Sequence, residues 1–259
     1  MIFAAIQVEE RMKVYQLISS LLASSVLATP ALAQSGDWTG PYAGVYTDVA
    51  YDELGVEDFG CWTACTKPTV QGTGIKAGAS AGYDVQIEDT LVFGLVADLG
   101  TGSRRKLIEG DAIGVHGNGT FTFESDVELE ASIRARAGLA QGDTLIYITG
   151  GMAFARGRFN AEGSGVPTYW VNHSSDFNAS WSGTVTGPTF GGGIEHQLGP
   201  ASVRFEVLHK RFAPVSACFA NVGTPNPGEC WQDNYAMIPP QVNYTYSVTN
   251  LRLGINYRF

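Results

Sequence analysis

The sequence predicts an all-β chain, an eight-stranded antiparallel transmembrane β-barrel with short periplasmic turns and four long extracellular loops. Three observations predict it. Side chains alternate between apolar and polar with a period of two over eight segments, as in a strand whose two faces meet different surroundings. The connections alternate between tight and long, as they do in a membrane barrel. The polar face mixes charges of both signs with many glycines, which suits a narrow interior better than a solvated exterior.

The first segment reads as exported rather than folded. From Met12, "MKVYQLISSLLASSVLATPALAQS" has a basic start at Lys13, an apolar run from Leu17 to Leu27 and a small-x-small site at Ala31-Leu32-Ala33, the parts of a secretory signal. Residues 1–33 are expected to be removed, leaving a barrel domain over 34–259, and residues 1–11, with Glu9 and Glu10, read as an extension from a misassigned start codon. No later stretch offers about 18 uninterrupted apolar residues, since the run from Leu91 to Gly100 is broken by Asp98, so no second helical span is expected.

The eight segments are Thr39 to Tyr51, Gly74 to Gln86, Leu91 to Thr101, Glu128 to Ala140, Thr144 to Arg156, Thr184 to Gln197, Ala201 to Phe212 and Tyr244 to Phe259. Each is near the ~9–11 residues a tilted strand needs to cross a bilayer. Tight turns are expected at Glu88-Asp89, Gln141-Gly142-Asp143 and Leu198-Gly199-Pro200, where Gly, Asp and Pro supply the turn chemistry. The other connections, 52–73, 102–127, 157–183 and 213–243, are long and rich in Gly, Asn, Ser, Pro and acid. Such loops are uncommon in compact domains and usual on the extracellular side of a barrel.

The faces follow from alternate positions. Glu128, Glu130, Ser132, Arg134 and Arg136 share one side of the fourth segment, and Leu129, Ala131, Ile133, Ala135, Ala137 and Leu139 the other. Arg204, Glu206 and Lys210 oppose Val203, Phe205 and Val207, and Lys76, Ser80 and Asp84 oppose Ile75, Tyr83 and Val85. A soluble sandwich could alternate in the same way with its apolar face inside. The glycines interleaved with the charges, among them Gly78, Gly82, Gly94, Gly191 and Gly193, place the polar face inward instead, because eight strands leave barely enough room for side chains. The last strand then puts Leu251, Leu253, Ile255, Tyr257 and Phe259 toward lipid. It must close onto the first strand, since backbone groups in hydrocarbon cannot be left unbonded. Tyr257 and Phe259 fall where an interfacial aromatic girdle belongs, as do Tyr42 and Tyr46 in position though not in facing.

The inward charges Asp84, Asp98, Glu130, Arg134, Arg136, Glu195, Arg204, Glu206, Lys210, Arg252 and Arg258 could line an ion path or fill the lumen as a paired network. The network is the expectation, because buried charges persist only when paired and hydrogen-bonded.

Composition excludes other classes. Charged residues are 16% of the chain and the net charge is −9, so no basic stripe is available to neutralise the phosphates of a nucleic acid. Cys61 and Cys65, with Cys218 and Cys230, form two close pairs in an exported chain, which favours disulfides; the spacing is poor for zinc, and no metal or other cofactor is expected. The four histidines, His116, His173, His196 and His209, sit in loops, near a turn or on the lipid face without the base, nucleophile and acid that hydrolysis needs. The long loops carry Trp62, Tyr169, Trp170, Trp231 and Tyr235 among polar residues, and exposed aromatics are candidate contacts for a partner.

Several stretches carry a family likeness: "WTGPYAGVYTDVAY" from Trp38, "RARAGLAQGDTLIYITGGMAFA" from Arg134, "TFGGGIEHQLG" from Thr189, "VRFEVLH" from Val203 and the closing "NLRLGINYRF". In order and spacing the chain resembles the OmpA/OmpX-type eight-stranded outer-membrane barrels, most closely the opacity-protein-like surface antigens of alphaproteobacteria. The resemblance implies a non-enzymatic envelope protein of a Gram-negative outer membrane, structural and engaged in surface interaction or adhesion, with a narrow porin-like channel as the alternative. It implies that Tyr257 and Phe259 form the signal read by the barrel-assembly machinery, and that Glu195, Arg204 and Glu206 match inward residues. Its expected partners are outer-membrane lipid, lipopolysaccharide and a host or surface ligand met through the loops.

Overall fold

A computed structural model of the chain describes residues 36–59, 69–114, 117–168, 171–218 and 241–259. The expected signal segment lies outside them. The elements are all strands: β1 (Gly40–Phe59), β2 (Thr69–Ile87), β3 (Leu91–Thr101), β4 (Arg104–Gly114), β5 (Gly117–Gln141), β6 (Thr144–Thr168), β7 (Val171–Leu198), β8 (Ala201–Arg211), β9 (Val215–Cys218) and β10 (Gln241–Arg258). They pair antiparallel in the order β1-β2-β3-β5-β6-β7-β8-β10, and β1 pairs with β10 to close the ring.

The short strands β4 and β9 are not extra staves. β4 continues β3 along the same neighbour, β5, and β9 continues β8 along β10. At the first junction Gly102 passes so close to β5 that a Cβ there would lie 2.0 Å from the Val127 carbonyl oxygen, so only glycine fits. Opposite it β5 carries a bulge between Val127 and Leu129, and the bulge corrects one expectation. Glu128, read as an inward residue, is the unpaired residue and is exposed. Below it the even-numbered residues of β5 face inward, above it the odd ones, because one extra residue reverses the parity.

A second correction concerns the long connections. Much of what reads as loop is strand: β5, β6 and β7 run for 25, 25 and 28 residues, well beyond the ~9–11 needed to cross a bilayer. Their upper parts escaped the pattern because the pattern changes sign. On β10, outward Ile255, Leu253 and Leu251 give way to Thr249, Ser247 and Thr245, while inward Arg252 and Asn250 give way to Val248, Tyr246 and Tyr244. On β6, outward Ile146, Ile148 and Met152 give way to Arg156 and Arg158, and inward Thr149 gives way to Ala153, Ala155 and Phe159. On β1 the change falls between Tyr51 and Glu53 outside and between Asp52 and Leu54 inside.

The barrel therefore has two storeys. The lower one wears aliphatic residues outside, Ile133 at 60% and Leu95 at 63% exposure, and a face that exposed is stable only in hydrocarbon. The upper one has an apolar core of its own, in which Phe159 stacks on Trp181 at 5.5 Å and Phe212 on Tyr246 at 5.3 Å. Burial raises the Tyr244 phenol well above its ordinary range; it stays protonated and donates to the Ala179 carbonyl at 2.7 Å.

Candidate functional site

The lumen of the lower storey collects the chemistry of the chain. At the periplasmic end Trp38 lies across the opening, fully buried, held by a bond from its Nε1 to the Gly142 carbonyl (3.2 Å) and by the Arg258 guanidinium 5.3 Å from its ring. Above it Asp84 takes Nε of Arg136 at 2.8 Å, a second bond from the same guanidinium, and Nη2 of Arg258 at 2.9 Å. Glu195 takes Nη1 of Arg136 at 2.8 Å, and its other oxygen accepts from Ser202 (2.5 Å) and Asn256 (2.9 Å). Arg136 is also sandwiched between the rings of Tyr42 and Tyr147, 4.7 and 5.1 Å from their centroids.

The middle layer is built on Asp48, Asp98 and Glu206. Arg252 grips Asp48 with two bonds, 2.8 and 3.0 Å, and lies 3.4 Å from the Tyr46 centroid. Arg134 bridges Asp98 (3.1 Å) and Glu206 (3.2 Å). Arg204 reaches across to Ser80 at 3.1 Å. In the top layer Lys76 and Lys210 share Glu130 at 2.5 and 2.8 Å, while Asp52 binds Lys76, Arg105 and the Tyr246 hydroxyl at 2.8, 2.8 and 2.9 Å.

Apart from Glu128, the inward charges read from the sequence lie here. Asp84, Asp98, Glu130, Arg134, Arg136, Glu195, Arg204, Glu206, Lys210, Arg252 and Arg258 are buried inside the barrel and divided among these three layers, each joined by its own ion pairs and hydrogen bonds. Sequence reasoning missed Asp48 and Asp52. The signal was there, since both share the inward face of β1 with Ala50 and Leu54, but Tyr42 and Tyr46 on that face suggested an interface. Both tyrosines point into the lumen and cover arginines.

Among the described residues the buried acids are Asp48, Asp52, Asp84, Asp98, Glu130, Glu195 and Glu206, and the buried bases are Lys76, Arg134, Arg136, Arg204, Lys210, Arg252 and Arg258, seven of each. They cancel, so the −9 of the chain resides outside this set. A balanced set in which charges are bridged is the form in which burial is tolerable, because an unpaired buried ion costs several kcal/mol.

Tyr257 is outward and exposed, and Phe259 packs against it with ring centroids 5.2 Å apart. His196 is exposed at the turn with Nδ1 2.9 Å from the Thr144 hydroxyl, and His209 faces outward with Nδ1 3.0 Å from the Thr249 hydroxyl. The loop aromatics Trp62, Tyr169, Trp170, Trp231 and Tyr235, and Cys61, Cys65 and Cys230, lie outside the described residues; Cys218 ends β9.

Known proteins resemble this chain. The outer membrane protein beta-barrel domain family matches residues 19–259. The 25 kDa outer-membrane immunogenic protein of Brucella abortus is 23% identical over 235 residues, 90% of this chain and 85% of that protein. The 31 kDa outer-membrane immunogenic protein of Brucella melitensis is 26% identical over 242 residues, 89% and 88% of the two chains. Among solved structures, the outer membrane protease OmpT of Escherichia coli aligns with a TM-score of 0.44 at 9% identity, covering 88% of this chain and 99% of its own. Ail of Yersinia pestis aligns with a TM-score of 0.33 at 13% identity, covering 85% and 99%. At such scores the eight-stranded ring is established by the pairing within this chain.

Proposed function

We propose that this chain, which belongs to the outer membrane protein beta-barrel domain family, is a closed, non-catalytic barrel that strengthens the envelope and presents a rigid extracellular storey for surface interaction. It resides in the outer membrane of a Gram-negative bacterium. The observation that carries the proposal is the two-storey interior. The lower lumen is filled by a neutral ion-pair network, and the upper storey has its own apolar core, so the strands that bear segments 60–68, 169–170 and 219–240 rise from the membrane as a packed stalk.

A stiff support lowers the ordering cost of binding a partner. Disulfides within the pairs Cys61–Cys65 and Cys218–Cys230 would add to that stiffness. The Brucella relatives are named as immunogenic proteins, in keeping with parts displayed outside the cell.

Protease added to intact cells tests the display: cleavage confined to the extracellular segments, with the membrane storey protected, is the expected pattern. A narrow channel is the second reading. It is favoured by Tyr147 Oη, Arg204 Nε and Nη1, and Glu206 Oε2, buried atoms without hydrogen-bond partners in the protein, along which water could be threaded. Planar-bilayer recording separates the two, because steady single-channel current from the wild-type barrel that changes on Glu206→Gln substitution would replace the plug by a pore.

A further inference from the structure

Residues 36–39 precede β1 and belong to no strand. The N–H groups of Gly36, Trp38 and Thr39 go to side-chain oxygens, those of Gln197 (3.2 Å), Gln86 (2.9 Å) and Asp37 (2.8 Å). Gln197 returns a bond to the Asp37 carbonyl at 3.0 Å, and the Thr39 hydroxyl accepts from the Gln86 N–H at 3.1 Å. Glycines with positive φ stand at either end, Gly36 at 89° and Gly40 at 133°. Side chains rarely tolerate that conformation, and it turns the chain off the line of β1.

The partners of this segment stand around the ring. Gln86 lies beside the turn from β2 to β3, Gly142 in the turn from β5 to β6, and Gln197 beside the turn from β7 to β8. These turns are spread over the closed order of the staves, so four residues bonded to all three must lie over the opening between them. The end of β10 supplies a further anchor, Arg258, which donates to the Trp38 and Gly40 carbonyls while it binds Asp84.

Below the ions this arrangement makes an apolar floor. Trp38, Val92, Ala140, Leu145 and Tyr147 form a buried cluster separate from the core of the upper storey, and the indole stands between the periplasm and the layer of Asp84, Arg136 and Glu195. Ion pairs strengthen where water is excluded. The segment has no ladder of its own, however, and can leave the mouth without unpairing a strand.

We infer that Gly36 to Thr39 form a strap that is the periplasmic seal of the barrel. Docked, it keeps water and solutes from the lowest ionic layer; undocked, it admits them from below. The inference is independent of the surface-interaction reading. It holds whether the lumen above is plugged or conducts, because a pore would require the strap to undock.

The test uses the full barrel folded in neutral detergent with one added thiol, Val92→Cys in the floor or Val185→Cys in the upper core, both positions being buried. The rate of modification by a small charged methanethiosulfonate is followed by peptide mass, which reads the added thiol apart from Cys61, Cys65, Cys218 and Cys230. Slow modification is expected at both positions with the strap intact. Trp38→Ala should accelerate it at position 92 by roughly a hundredfold, as loss of a buried aromatic anchor does, and leave position 185 unchanged. Gln197→Ala, which removes two of the strap's hydrogen bonds, should accelerate it about tenfold. Heat-modifiable gel migration confirms folding of each variant, and Gln197→Ala carries the result if Trp38→Ala does not fold. Equal acceleration at the two positions would show a loosened barrel and overturn the seal. So would an unchanged rate at position 92 in folded Trp38→Ala, which would assign the closure to the ions alone, or modification there at the rate of an exposed thiol with the strap intact.

Discussion

Below the layer of Asp52, Glu130 and Lys210 the barrel is aliphatic outside and ionic inside, whereas above it the outside is polar and the inside is built from Phe159, Phe212, Tyr244 and Tyr246. The same eight staves run through both storeys, so the inversion cannot come from topology. It comes from solvent. Where hydrocarbon surrounds the wall, the outer face must be apolar and the polar side chains turn inward, where they must satisfy one another. Where water surrounds it, burying apolar area again stabilises the interior, as in a soluble protein. The level at which both faces change on β1, β6 and β10 marks the outer membrane surface from the chain alone.

If the lower storey is held by paired charge, removing one member should have the largest effect. Arg136→Met leaves Asp84 with Arg258 alone as its cation and Glu195 with only neutral donors, and should destabilise the barrel by up to ~5 kcal/mol, the cost of breaking a buried pair. The measurement is the temperature at which compact gel migration is lost. Adding Glu195→Gln should return part of that loss, because the carboxylate left behind is what costs most. An unchanged transition in Arg136→Met would mean that the lumen is wet and the ions are solvated there.

The upper storey should fail differently. Phe159→Ala opens a cavity beneath Trp181 and beside Tyr244 and Tyr246, at a cost of about 3 to 4 kcal/mol. Because this core lies above the ionic layer, faster amide exchange is expected in the upper parts of β5, β6, β7 and β10 with the membrane parts unaffected. Equal acceleration in both storeys would show that they unfold as one unit.

The unequal storeys also explain what could be read from sequence. The lower strands, their faces and most of the inward charges were legible because long aliphatic side chains alternate there with ions, as at Ile133 and Arg134 or Phe205 and Glu206. The upper parts of the strands were not. Around Ala179, Ser180, Trp181 and Ser182 small residues populate both faces, and the contrast that remains has the opposite sign, so the stretch resembles a loop. The bulge at Glu128 reverses parity within β5, which no fixed-period reading follows. The strap at the mouth was illegible for a further reason: its partners Gln86, Gly142 and Gln197 lie at three turns that only barrel closure brings together.

The sharpest form of the comparison uses one substitution on the same outward face at two heights. Ile133 lies in the aliphatic band, paired with Ala97 on one side and Met152 on the other, and Ile133→Arg should cost about 2 to 3 kcal/mol, since a cation facing lipid must snorkel or thin the bilayer. Ser182 also faces outward, beside exposed Arg158 in the upper storey, and Ser182→Arg should stay within ~0.5 kcal/mol, as an exposed substitution in water does. Unfolding of both variants in vesicles by urea gives the pair of values. Moving from vesicles to detergent should shrink the first and leave the second unchanged, because only the first is set by bilayer thickness. Equal costs at the two heights would mean that Ser182 also faces lipid, and the membrane surface would then have to be moved above Arg156 and Arg158, into a belt of charge that hydrocarbon does not accept.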